Sequence, residues 1–120
     1  SDIAHQALLA VAIKHSRLLG EFLGQVIKDH FRAFNNQLTL RDWDKFLMDC
    51  ENRDSSISEW SESTRKKLGQ VIFRTLAEGK VIDSTRSMKI IPFQITPEVR
   101  QYLLENGENE TLKCMNITNE

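Results

Sequence analysis

Two cysteines, two prolines and five glycines in 120 residues leave little from which disulfide scaffolds, proline-rich linkers or phosphate-cradling loops are built. Cys50 and Cys114 form no CxxC pair and have no paired histidine nearby. One disulfide is arithmetically possible, but two reduced thiols in a cytoplasmic protein are the expectation. The longest apolar run, Ala7 to Ile13, is seven residues, against the ~20 a bilayer-spanning helix needs, so no membrane contact is expected. Net charge is −1, so no overall field names a partner. Apolar residues at 40% and charged residues at 28% place the chain with globular rather than disordered sequences.

What is present is mostly helical periodicity. Ile3, Ala7, Leu8 and Val11 recur at spacings of three and four, as do Leu18, Leu19, Phe22, Leu23, Val26, Ile27 and Phe34. The phase slips near His15, where Ser16 is placed to cap a new helix, giving helices over about 3–14 and 17–34. Gly20 and Gly24 inside the second suggest that another helix crosses closely there. Thr39 and Asp42 resemble a capping box for a helix over 40–51, and Ser61 opens another over 62–78 that Gly79 ends. Val81–Ile82 and Met88–Ile91 read as a short β-hairpin over 81–91. Thr96-Pro97-Glu98 starts a last helix over 97–106, and 108–120 reads as a polar tail. The expected fold is mainly α: one compact domain over 1–107, about five helices and one hairpin, with a winged-helix-like C-terminal half.

Charge is unevenly distributed along this order. Residues 35–59 carry three cations against six acids, whereas residues 60–90 carry seven cations against three acids. At about 100° per residue, Leu68, Val71, Ile72, Thr75 and Leu76 gather on one side of helix 62–78. Lys66, Lys67, Gln70 and Arg74 gather on the other. A cationic helix followed by a hairpin bearing Arg86 and Lys89 matches the order of a duplex-DNA reader. Arg65, Lys66, Lys67, Arg74, Arg86 and Lys89 are placed to neutralise phosphates, and Gln70 and Arg74 to reach base edges. The same helix also reads as an ordinary solvated face, and the 52–60 loop is long for a helix-turn-helix.

Other candidate constellations fail on spacing. His5, His15 and His30 share no i, i+4 relation with each other or with a cysteine. The acids Asp42, Asp44, Asp49, Glu51 and Asp54 follow no Ca²⁺-loop pattern and read as solvated charge. No nucleophile, base and orienting group can be assembled from the sequence, so no catalytic residue, metal or cofactor is expected.

The string Trp60-Ser61-Glu62-Ser63-Thr64-Arg65-Lys66-Lys67-Leu68 leads into Leu76-Ala77-Glu78-Gly79. With Leu18-Leu19-Gly20-Glu21-Phe22-Leu23 and Trp43, Phe46 and Leu47, it resembles the BrxA family, small helical proteins of bacterial BREX phage-defence loci. The resemblance covers most of residues 15–105. Family members are longer, and this chain, which starts at Ser1, looks like their C-terminal part. The resemblance implies a non-enzymatic, DNA-binding accessory protein acting beside a methyltransferase, an ATPase and other BREX proteins, and it assigns no residue-level site. A scaffolding role through the apolar first helix or the acidic 42–54 stretch is the alternative expectation, and that apolar helix also suggests a homodimer.

Overall fold

The computed structural model describes residues 2–118. Helix α1 (Asp2–His15) ends where Ser16 adopts an extended conformation and accepts a hydrogen bond from the Leu19 N–H, 3.2 Å. That cap starts a continuous helical rod made of α2 (Arg17–Phe22), a π-helical stretch (Leu23–Ile27) and α3 (Lys28–Arg32). Helix α4 (Leu40–Glu51) opens on a complete capping box. The Thr39 hydroxyl takes the Asp42 N–H, and the Asp42 carboxylate takes the Thr39 N–H at 2.8 Å. A 3₁₀ turn (Ser55–Glu59) capped by Asp54 leads to α5 (Glu62–Glu78), capped by Ser61. Helix α6 (Pro97–Glu105) follows Thr96, and α7 (Asn109–Met115) closes the described chain.

The core is built around aromatic rings. Phe22 contacts Trp43, Phe46 and Phe73 with ring centroids 5.2–6.0 Å apart, inside the range where tilted and edge-on pairs add to area burial. Leu9, Ile27, Leu38, Leu76, Val81 and Ile82 fill the space around them. Gln6, buried on α1, is bonded at both ends of its amide: the nitrogen donates to the Gln94 carbonyl and the oxygen accepts from the Thr96 N–H. It thereby ties α1 to the entry of α6.

Three expectations are corrected. Residues 109–115 are helical, not a polar tail: Thr111, Met115 and Ile117 are buried. Helix α7 lies so close to α2 that a Cβ on Gly20 would sit 3.1 Å from Cys114 Sγ. The close crossing inferred at Gly20 is therefore made, by α7, whereas Gly24 has open space beside it.

The hairpin is also absent: among the described residues there are no strands, only single bridges, Ile82 with Ile90 and Gln37 with Lys89. The 88–91 run divides its backbone bonds between two neighbours. Leu38 N–H donates to the Met88 carbonyl and Ile90 N–H to Asn36, while Asp83 N–H donates to Lys89 and Ile91 N–H to Val81. Positive φ at Lys80 and Met88 interrupts any longer ladder. With no hairpin there is no wing, and the winged-helix expectation falls with it.

The second predicted helix is the third case. It stops before Phe34, whose φ of 56° lies in the left-handed region.

Candidate nucleic-acid interface

Helix α5 is oriented by its contact with α4. Its buried residues are Gly69, Ile72, Phe73 and Leu76, so the inward face is turned roughly a quarter turn from the one expected, and Val71 is exposed. Gly69 explains the rotation. A Cβ there would lie 2.8 Å from the Trp43 indole nitrogen, so only glycine lets the indole lie against the helix. The Trp43 Nε1–H then donates to the Arg65 carbonyl at 3.0 Å, which fixes α5 along its axis as well as around it.

This placement separates the predicted contact residues. Arg65 faces inward and is only half-exposed. Its guanidinium pairs with Glu51 and donates to the carbonyls of Ile57 (2.9 Å) and Trp60 (3.3 Å). Arg65 therefore closes the 52–60 linker onto α5 and α4 rather than facing solvent. Lys66, Lys67, Gln70 and Arg74 are exposed and have no side-chain partner among the described residues. Lys67 and Arg74 lie near the middle of the solvent face. Lys66 and Gln70 edge a groove of about 440 Å³ between α4 and α5, floored by Trp43 and Phe73.

Arg86 and Lys89 sit on an arm folded by local hydrogen bonds. Asp83 accepts from the N–H groups of Ser84 (2.7 Å) and Lys89 (3.0 Å). Ser84 and Ser87 bridge through their hydroxyls at 2.9 Å. The Ser87 hydroxyl, with the Lys89 and Ser84 backbone N–H groups, holds the Asp83 carboxyl below the usual carboxylate range. Arg86 and Lys89 are left exposed, with no carboxylate partner among the described residues. The Gln37 amide donates to the Ser87 carbonyl at 2.9 Å, and three residues further on Leu40 lines the groove with Lys66 and Gln70. The arm and the N-terminal half of α5 are thus joined through residues 37–40.

The acidic stretch does more than carry solvated charge. Asp42 completes the capping box of Thr39, Asp54 is a cap, and Glu51 is the partner of Arg65. His30 bridges α3 to this region: its Nε2 lies 3.2 Å from the Asp42 carboxylate and its Nδ1 3.0 Å from the Val26 carbonyl. Cys50 and Cys114 are unbridged, and burial pushes both thiols up from their ordinary value. Among the described residues no three His, Cys, Asp or Glu side chains converge as metal ligands, and no helix is long and apolar enough to cross a membrane.

Two apolar features are exposed, one of them on the first helix that the sequence singled out. Ile3 and Val11 on α1, with Tyr102 on α6, are exposed along a groove of about 470 Å³, and Leu8 is exposed on α1 outside its lining. Phe34, read from the sequence as part of a buried helical stripe, is 97% exposed.

Comparison with known proteins gives a consistent picture. A sequence profile of the BrxA family matches residues 1–107. A BREX protein BrxA from Paramagnetospirillum magneticum is 38% identical over 118 residues, covering 98% of this chain and 59% of that protein. A BREX protein BrxA from Escherichia coli strain HS is 26% identical over 116 residues, covering 96% of this chain and 54% of that protein. The crystal structure of an uncharacterized protein from Magnetospirillum magneticum superposes with a TM-score of 0.88 at 38% identity, over 97% of this chain and 61% of that one. The chain thus spans somewhat more than half the length of the relatives it matches.

Proposed function

The chain belongs to the BrxA family, and on that premise we propose that it is a non-enzymatic, duplex-DNA-binding component of a BREX-type phage-defence assembly. The observation that carries this reading is the solvent face of α5. Lys66, Lys67 and Arg74 stand exposed around Gln70, with no carboxylate partner among the described residues. A lone exposed cation is ordinarily just solvated; what sets this face apart is three of them grouped on one helix. Three left open on one helix face suit phosphate oxygens, whose counterions they displace on binding.

The mechanism is electrostatic docking. Lys66, Lys67 and Arg74 meet phosphates along one side of a groove, and Arg86 and Lys89 extend the contact from the braced arm. Gln70, between the cations, is placed for a base edge. Arg65 takes no part in phosphate contact; it holds the linker that positions α5.

Reversing Lys66, Lys67 and Arg74 to Glu tests the reading. Loss of duplex binding with an unchanged circular-dichroism spectrum supports it, and unchanged affinity overturns it.

A second reading, a protein-interaction module that holds BREX proteins together, is favoured by the outward apolar residues of α1. Helices that are apolar all round are usually covered, and here Ile3, Leu8 and Val11 are not. A homodimer through this face is one form of it. It requires association that survives nuclease treatment and is lost in Leu8→Glu/Val11→Glu.

A further inference from the structure

Phe34 fills the left-handed position that closes α3, a position glycine takes at no steric cost. It follows α3 at the position where helices usually place glycine. The Phe34 N–H reaches the Phe31 carbonyl at 3.2 Å and the Asn35 N–H reaches the His30 carbonyl at 2.9 Å, the double bond of a Schellman ending. Its φ of 56° strains a residue with a Cβ, and glycine would relieve that strain. Nor does the ring gain burial in exchange, since it is 97% exposed.

The segment that follows this ring is braced by hydrogen bonds. Gln37 N–H donates to Asn35 Oδ1 at 3.1 Å, and the Gln37 amide donates to the carbonyls of Leu38 and Ser87, both at 2.9 Å. Gln37 is also bridged to Lys89 through the backbone. Three residues span at most about 11 Å, so Phe34 is tied closely to the cationic arm. Arg32, two residues before it, and Lys89, bridged to Gln37, are exposed, with no partner carboxylate among the described residues. Exposed Asn35 and Asn36 flank it with amide donors. A strained, exposed aromatic that lines one groove with Phe31, Ile91 and Pro92, with amides next to it in the chain and cations on the adjoining arm, has the chemistry of a minor-groove wedge: the ring enters a base step, the amides meet groove acceptors and the cations meet phosphates.

We infer that Phe34 is such a wedge, inserting between base pairs of duplex DNA while Arg86 and Lys89 hold the adjoining phosphates. This rests on the DNA-binding reading above and adds to it a contact that is apolar and that bends the duplex.

The test is Phe34→Gly, measured by anisotropy on a fluorescent random-sequence duplex across a salt series, with end-to-end energy transfer on the same duplex reporting bending. The expected result has three parts. Affinity falls about ten-fold, as for loss of one aromatic stack. The salt slope is unchanged, because no phosphate contact is lost. Bending by the wild type disappears, while the melting temperature holds or rises. Wild-type affinity and bending in Phe34→Gly overturn the wedge alone. No duplex binding by the wild-type protein at low salt overturns both the wedge and the DNA reading. Intact DNA affinity with a change in self-association by sedimentation makes Phe34 a protein anchor and also overturns the wedge.

Discussion

The indole of Trp43 packs against Gly69, its nitrogen 2.8 Å from where a Cβ would stand, which leaves no room for a methyl group. It is this contact that turns Lys67 and Arg74 outward, because it fixes which side of α5 faces the core. The electrostatics of the surface therefore depend on a steric detail inside it.

Gly69→Ala should destabilise the fold by about 1–3 kcal/mol, the usual cost of forcing atoms into a packed contact. Gly24→Ala serves as its opposite. A Cβ there meets nothing within 4 Å and φ is not in the left-handed region, so a gain of about 0.5–1 kcal/mol is expected. Thermal melts of the two variants should move in opposite directions; a shared direction contradicts the packing described.

Arg65 and Arg74 separate structure from binding. Arg65→Ala strands the Glu51 carboxylate and two linker carbonyls, so stability should fall by about 1–3 kcal/mol while the salt slope of DNA binding stays the same. Arg74→Ala should leave the melt unchanged and reduce the slope by about one. Salt titrations and melts on both variants check this, and a slope change in Arg65→Ala would place that guanidinium on phosphate after all.

How much of this the residues disclose follows from how local each signal is. Ser16, Thr39, Ser61 and Thr96 are all helix caps, because a cap is settled by a side chain and an N–H three residues on. The rotation of α5 was not legible. Gly69 carries no apolar signal, and its burial comes from Trp43, 26 positions earlier. Helix α7 was missed for the same reason: Thr111 and Cys114 look polar or neutral until Gly20 is brought against them. The β-type runs at 81–82 and 88–91 are mostly buried, but nothing local shows that Met88 turns left-handed or that Asn36–Leu38 takes two of their backbone hydrogen bonds. Of the expected surface, Lys66, Lys67, Gln70, Arg74, Arg86 and Lys89 are exposed, while Arg65 is committed to the linker.

The acid limb of stability should involve Asp83 and Asp54. Ser87 and backbone N–H groups lower the first carboxyl, and the Ser56 hydroxyl and N–H lower the second. A depressed folded-state pKa adds stability that is complete above the unfolded value, about pH 4, and is lost as pH falls through the folded one. Stability between pH 5 and 8 should thus be insensitive to these groups. Below about pH 4 the decline should be shallower in Asp54→Asn/Asp83→Asn, measured by urea midpoints; an identical decline contradicts the assignment.

The cysteines should be slow nucleophiles. Burial raises both thiols, so the thiolate that reacts is scarce at neutral pH. Reaction with a disulfide reagent at pH 7.5 should be slow for both and become fast on adding denaturant. Rapid labelling of the folded protein would contradict the burial described for Cys50.

The most direct measurement of the central claim is anisotropy of a fluorescent random-sequence duplex titrated with the protein at several salt concentrations. Three phosphate contacts from Lys66, Lys67 and Arg74 give a slope of log K against log[salt] of roughly −3, and the arm cations steepen it. The expected result is binding with that slope, abolished by Lys66→Glu/Lys67→Glu/Arg74→Glu. Absence of binding at low salt, or binding that survives the reversal, contradicts it.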